Sequence, residues 1–264
     1  MNWRTRMVAA GQFFFRYRNA LFPVVFVLIV PLIRSQVLFG SRSLTWGLSV
    51  AGALIACAGE ALRLATIGFR YIERGGRKGR VYASRLVRRG VYGLTRNPMY
   101  TGNMMIATGL CLVSSAPTAL MVVLPFFLFV YHAIVFAEEA YLRERFGQGY
   151  AHYCATVNRF WPSFQGTRRA FAGMVFNWPR ALRQDLGTIT GLLLALVLMP
   201  WWRAYWLDGR DVAMRRLPWT VGGTVAVLAL YGVLHELKKS GRLHSFLDTA
   251  PLPERRRRIR RATA

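Results

Sequence analysis

The sequence predicts an all-α fold, a polytopic membrane helical bundle of about six membrane-embedded helices with an amphipathic helix on the cytoplasmic side. Three observations predict it. Hydrophobic residues fill 54% of the 264 positions and the mean hydropathy is +0.26, more than the core of a soluble domain of this size calls for. These residues are gathered into runs of about twenty, enough at ~1.5 Å per residue to cross a hydrocarbon layer of ~30 Å. The charge is segregated too. Of the 36 lysines and arginines, four lie in residues 1–20, nine in 69–97, seven in 138–186 and nine in 236–264, so a six-span arrangement puts 29 on one side. The positive-inside rule makes that side, with both termini, cytoplasmic. A net charge of +25 also suits a nucleic-acid binder. Charge that follows the loops in this way answers to topology instead, so no nucleic-acid partner is expected. The excess of Arg over Lys suits a bacterial genome rich in GC, and hence a multi-pass protein of the bacterial cytoplasmic (inner) membrane.

Residues 1–20 mix Arg4, Arg6, Arg16 and Arg18 with Phe13, Phe14, Phe15 and Tyr17, the composition of a segment lying at the interface ahead of the membrane. Residues 21–39 form a first span despite Pro23, Pro31 and Arg34, and no small-residue cleavage pattern follows Pro31 to make it a signal peptide. Residues 44–69 form a second span. It carries Glu60 and Arg63 at i,i+3 on one helix face, and charges at that depth must face protein or a polar cavity. They are either a mutually neutralising structural pair or part of a cofactor or substrate site.

Residues 70–96 read as a basic, glycine-containing cytoplasmic loop. Residues 99–115 and 118–137 then make a helical hairpin that turns at Pro117. Its two legs bring Glu138 and Glu139 back to the depth of Asn97 and Tyr100. Residues 138–157 carry Leu142, Phe146, Tyr150, Tyr153 and Val157 at helical spacing, broken by Gly147 and Gly149. Residues 186–207 and 217–237 form a second hairpin, and the Arg-rich tail is expected to stay unstructured and to be drawn to anionic lipid. The domain organisation is thus 1–43, N-terminal interfacial segment and first span; 44–165, membrane core; 166–185, interfacial connector; 186–240, C-terminal membrane hairpin; and 241–264, basic tail.

The stretch from Tyr92 to Tyr100, YGLTRNPMY, is where a basic loop becomes a membrane helix. Asn97 has the chemistry of an N-cap, and Pro98 fits the first helical position, where its missing donor is harmless. A helix start beside Arg96 offers backbone donors and the positive end of the dipole to an anion. Tyr100 supplies a ring that can stack, and Gly102 leaves room for close approach. Cys57, Cys111 and Cys154 are isolated, so they frame neither a disulfide nor a metal site, and the four histidines are scattered and read as structural. No Gly-rich phosphate-binding signature is present.

Taken together, Gly90-Val91-Tyr92, then Arg96-Asn97-Pro98 with Tyr100 and Gly102, then Glu138-Glu139, then Phe146-Gly147 with Tyr150 and Tyr153, then Val157, Arg159 and Pro162 make a pattern. It resembles that of integral membrane methyltransferases of the isoprenylcysteine carboxyl methyltransferase and phosphatidylethanolamine N-methyltransferase type. The likeness covers roughly residues 44–162. It implies S-adenosylmethionine as cofactor, held by Leu86, Val87, Tyr92, Arg96, Asn97, Pro98, Met99, Tyr100, Gly102 and Glu138 or Glu139, and a lipophilic acceptor arriving from the membrane lipid bilayer. Glu138 and Glu139 are the candidate catalytic acids, able to bind ribose hydroxyls or take a proton from an amine. The family's usual His is Asn97 here, which hydrogen-bonds but carries no proton at neutral pH. The Arg with which the isoprenylcysteine enzymes hold a substrate carboxylate is absent, its place taken by Ile134 and Val135, and Arg63 is the candidate substitute. Nicotinamide-dependent membrane sterol or isoprenoid reductases share part of the pattern, and a non-enzymatic lipid- or partner-binding module would keep the fold; the adjacent Glu pair favours the methyltransferase.

The topology has a direct consequence. Single cysteines placed by Arg80→Cys and Arg258→Cys should stay unlabelled by an impermeant thiol reagent in intact cells, and labelling of either would overturn the cytoplasmic placement of loop and tail.

Overall fold

Six long helices run between the two ends of one bundle in the computed structural model, which describes residues 2–29, 33–69 and 81–242. They are α1 (Trp3–Ile29), α2 (Arg42–Phe69), α3 (Pro98–Ser114), α4 (Leu124–Thr156), α6 (Trp178–Leu207) and α7 (Arg210–Lys239), with a one-turn helix α5 (Thr167–Phe171) between α4 and α6. No strand occurs among the described residues. Four of the helical segments, Arg42–Phe69, Ala119–Thr156, Trp178–Leu207 and Arg210–Lys239, are long and apolar enough to cross a membrane. Residues 70–80 of the basic loop and 243–264 of the tail lie outside the described residues.

Glycine brings α2 and α3 into close contact. A Cβ added at Gly59 would lie 2.6 Å from the Gly102 carbonyl oxygen, and one at Gly52 2.6 Å from that of Gly109. Two glycines on each helix, seven residues apart, let the backbones meet where apolar side chains gain nothing by leaving lipid. Gly102 is thus a helix-packing position.

A buried polar network then ties α6 to this pair. Arg63, 3% exposed, donates to Asn103 of α3 and Asp185 of α6, and to Thr188 at 3.0 Å, with Glu60 at 3.4 Å from its Nε. Charges inside a bundle persist when they are paired in this way. Asp185 is fully buried. The expected connector therefore ends eight residues early, because Arg180 and Asp185, polar in sequence, are the groups that dock α6. The Arg180 guanidinium donates to the carbonyls of Ile67 (2.9 Å) and Gly68 (2.7 Å), capping the C-terminus of α2, while the Asn177 side chain caps α6 by accepting from the Arg180 N–H. At the opposite end the Ser35 hydroxyl donates to the Ser114 carbonyl (2.7 Å) and the Trp202 indole to that of Ile33 (2.7 Å).

Two expectations about the helices change. Helix begins at Trp3, and residues 3–20 do not precede the bundle but lie along α4: Trp3 meets Phe136 edge-on at 5.6 Å, and Phe15 is buried against Val130 and Ile134. Of the aromatic residues that read as interfacial, Phe14 and Phe15 supply this packing face. Beyond Ile29 the expected first span is not helical at 33–37, and a 3₁₀ turn occupies Leu38–Gly40. The turn before Pro117 falls where expected, with Ser115 in the left-handed region (φ 51°). Beyond it, however, Glu138 and Glu139 sit inside one continuous helix, not at the start of a separate amphipathic one. The break comes later, at Gly147, whose φ is 49°.

Gly109→Leu should destabilise the detergent-solubilised protein by about 1–3 kcal/mol or more, as overpacking does, whereas Gly191→Leu, which meets nothing within 4 Å, should leave the thermal transition nearly unchanged. Equal effects would remove the α2–α3 contact from its place in the fold.

Candidate functional site

The start of α3, the middle of α4 and the chain leading up to α3 enclose a cavity of about 560 Å³. Eight of the residues that the resemblance marks lie on its wall: Leu86, Val87, Tyr92, Arg96, Asn97, Met99, Tyr100 and Glu138. The extended segment from Val81 to Val87 forms one side, the 3₁₀ turn Gly90–Gly93 a second, and α4 beyond its kink closes the third with Tyr150 and Tyr153. The Tyr153 hydroxyl donates to the Tyr92 main-chain carbonyl at 2.6 Å, which fixes the Tyr153 ring against the turn. Inside, the Tyr100 hydroxyl donates to Glu138 Oε1 at 2.6 Å, so a phenol of α3 and a carboxylate of α4 form one charge-assisted unit.

Glu139 faces elsewhere, because successive residues of a helix point about 100° apart. It is 3% exposed and holds four donors: Asn97 Nδ2 at 3.2 Å, Arg159 Nε at 3.1 Å and Nη2 at 2.8 Å, and, more loosely, Arg96 Nη2 at 3.5 Å. Asn97 Nδ2 and the Thr95 hydroxyl also donate to the Arg159 carbonyl, each at 3.2 Å. Main-chain bonds from Arg96 N–H to the Asn158 carbonyl and from Ser163 N–H to the Leu94 carbonyl, both 2.9 Å, lay residues 158–163 against the turn before α3. The two glutamates thus divide their work. Glu138 belongs to the cavity, and Glu139 clamps the wall around it.

Asn97 occupies the N-cap position of α3, but its side chain does not cap the helix. Its amide is drawn off by Glu139 and the Arg159 carbonyl. The first turn of α3 therefore begins without a side-chain cap, with Met99 and Tyr100 on the cavity wall. Pro98, Gly102 and Glu139 support the wall without lining it. Arg63 does not line it either, being held by Asn103, Asp185 and Thr188 in the α2–α3–α6 network. His132 has a structural place, its ring nitrogen 2.8 Å from the Leu128 carbonyl and its ring against Phe160. The sequence reading did not single out Val81–Arg85 or the clamping role of Arg159. The first carries no motif of its own; the second was signalled only by the recurrence of Arg159 in the closing pattern.

Residues 48–149 match the family model described as phospholipid methyltransferase. The match covers less than half of the chain. No curated protein and no solved structure gave a match. The matched stretch runs from α2 to just past the kink in α4 and so contains Tyr100 and both glutamates. The clamp residue Arg159 and the α6–α7 hairpin fall outside it.

The division between the glutamates is testable. Glu139→Gln, which leaves Arg159 and Asn97 around a lost charge, should lower stability by about 3 kcal/mol or more. Glu138→Gln, which keeps an acceptor for Tyr100, should cost less than about 1 kcal/mol by the same thermal-unfolding measurement. Equal losses would show that both glutamates are structural.

Proposed function

We propose that this protein is an S-adenosylmethionine-dependent methyltransferase that acts on a lipophilic acceptor at the cytoplasmic face of a bacterial inner membrane, as a six-pass bundle with both termini inside. The observation that carries the reading is the cavity in which the Tyr100–Glu138 pair stands beside the uncapped start of α3. Its volume lies within the range of small-molecule and cofactor sites, about 300–1,000 Å³. The residues present fit the cofactor. Glu138 and the rings of Tyr92, Tyr100, Tyr150 and Tyr153 suit a sulfonium and an ammonium, while Arg96 and the first backbone donors of α3 suit a carboxylate. When bound, the cofactor supplies an electrophilic methyl group.

The chain's contribution to such a transfer is placement. Alignment of two reactants supplies a large share of the advantage in a displacement of this kind. Tyr100 fixes Glu138 through its hydroxyl, and Glu138 is the group in position to accept a proton from an amine acceptor. The clamp of Glu139, Asn97 and Arg159 keeps the turn before α3 and the start of α3 at a constant separation from α4. Where the isoprenylcysteine enzymes carry a carboxylate-holding Arg, Ile134 and Val135 are fully buried and apolar. With Arg63 occupied by its own network, the reading favours an uncharged or amine acceptor over a free carboxylate.

Calorimetry on the purified protein should detect S-adenosylmethionine binding, and label from its methyl group should enter extracted membrane lipids in preference to a prenyl-cysteine analogue. Glu138→Gln and Tyr100→Phe should each weaken cofactor binding by about 1.5–3 kcal/mol, a loss of tenfold or more. Absence of binding would sink the proposal; methyl-ester formation on the analogue, lost in Arg63→Ala, would reverse the acceptor preference.

A further inference from the structure

A second cleft, of about 520 Å³, opens between α1 and α4 on the face of α4 that carries Glu139. Its shape follows from one contact. At Gly11 the two helices are jammed together: a Cβ there would overlap the Ala133 carbonyl and lie 2.9 Å from the Ala137 Cβ. From that point toward the start of α1, larger residues hold the helices apart, Val8 and Arg4 on α1 facing Phe136, Ala140 and Arg143 on α4.

The charge of this cleft is unbalanced. Arg4, Arg143 and Arg159 lie on its wall, and Glu139, the acid that shares it, is already engaged by Asn97 and Arg159. Arg4 and Arg143 are exposed and form no hydrogen bond or ion pair among the described residues; the recorded contact of Arg4 is with the Trp3 ring at 5.8 Å. The Arg159 guanidinium lies 4.7 Å from the centre of the Phe136 ring. Arg4 and Arg143 therefore share the cleft with the apolar Val8, Phe136 and Ala140, while Arg159 is held between Glu139 and the Phe136 ring. The exposed rings of Phe13 and Phe129 continue along the same two helices.

We propose that this cleft binds the phosphate of an anionic membrane lipid, taken by Arg4 and Arg143, with an acyl chain lying along the α1–α4 groove. Guanidinium forks match phosphate oxygens, and a cationic site at the membrane surface gains further from the anionic leaflet. The apolar residues of the cleft select a lipid over a free anion. The site is separate from the Tyr100–Glu138 cavity, lying on another face of α4, and it stands whether or not that cavity holds S-adenosylmethionine.

The test titrates the full-length protein, in discs of phosphatidylcholine, with dioctanoyl phosphatidic acid, dioctanoyl phosphatidylcholine and inorganic phosphate. Phosphatidic acid should bind with one-to-one stoichiometry and at least tenfold more tightly than either alternative. Arg4→Ala combined with Arg143→Ala should lose at least tenfold in that affinity at an unchanged thermal transition, and Arg4→Lys with Arg143→Lys should retain most of it. Equal binding of the two lipids, undiminished binding in the alanine variant, or inorganic phosphate binding as tightly as phosphatidic acid would each overturn the proposal. Should the alanine variant not fold, a photoreactive phosphatidic acid on the unaltered protein decides. Crosslinks within residues 136–143 support the site, and crosslinks confined elsewhere refute it.

Discussion

The Glu139 carboxylate is the constraint on which the candidate site depends. It is buried inside the bundle, and a charge there is tolerable only when donors surround it. The sequence supplies those donors from two places: Arg96 and Asn97 ahead of α3, and Arg159 from the segment after α4. Satisfying one carboxylate therefore joins the entrance of one leg of the hairpin to the exit of the other. Everything that lines the cavity on that side, from Tyr92 to Tyr100, is positioned as a result.

A second constraint acts deeper in the bundle and has the opposite chemistry. Gly52, Gly59, Gly102 and Gly109 bring α2 and α3 together by removing side chains, whereas Arg63 and Asp185 hold α6 to that pair by charge. Packing of small residues supplies contact area, and the buried ions supply register, since a shifted α6 would leave Arg63 facing apolar surface. The C-terminal hairpin, outside the stretch that matches the family model, is thus bound to it through the capping of α2 by Arg180 as well as through Asp185.

What the sequence disclosed followed the range of the interactions involved. The hairpin turn before Pro117, the helix start at Pro98 and the cluster from Tyr92 to Tyr100 are local, written in turn chemistry and adjacent residues, and the structure has them. Residues 1–20 were harder to place. Arginines among aromatics suit an interface, and only the partner helix α4 reveals that Phe15 is a buried residue. Asp185 likewise reads as polar linker until Arg63 is placed opposite it. Asn97 is the instructive case, because its identity and position are those of an N-cap. A cap is a rotamer as well as a residue type, and the buried Glu139 of another helix outbids the local backbone for its amide.

The two glutamates also explain why an adjacent acidic pair serves a helix that crosses from wall to site. Neighbouring positions on α4 face about 100° apart, so one carboxylate can be spent on the clamp while the next lies within 2.6 Å of the Tyr100 hydroxyl. Two acids at i,i+4 would share a face and compete for the same donors. Two acids at i,i+1 address different surroundings with no intervening residue to let them drift relative to each other. The rigidity that the clamp gives to α4 at Glu139 is thereby delivered one residue away, at Glu138, where a reacting group would need it.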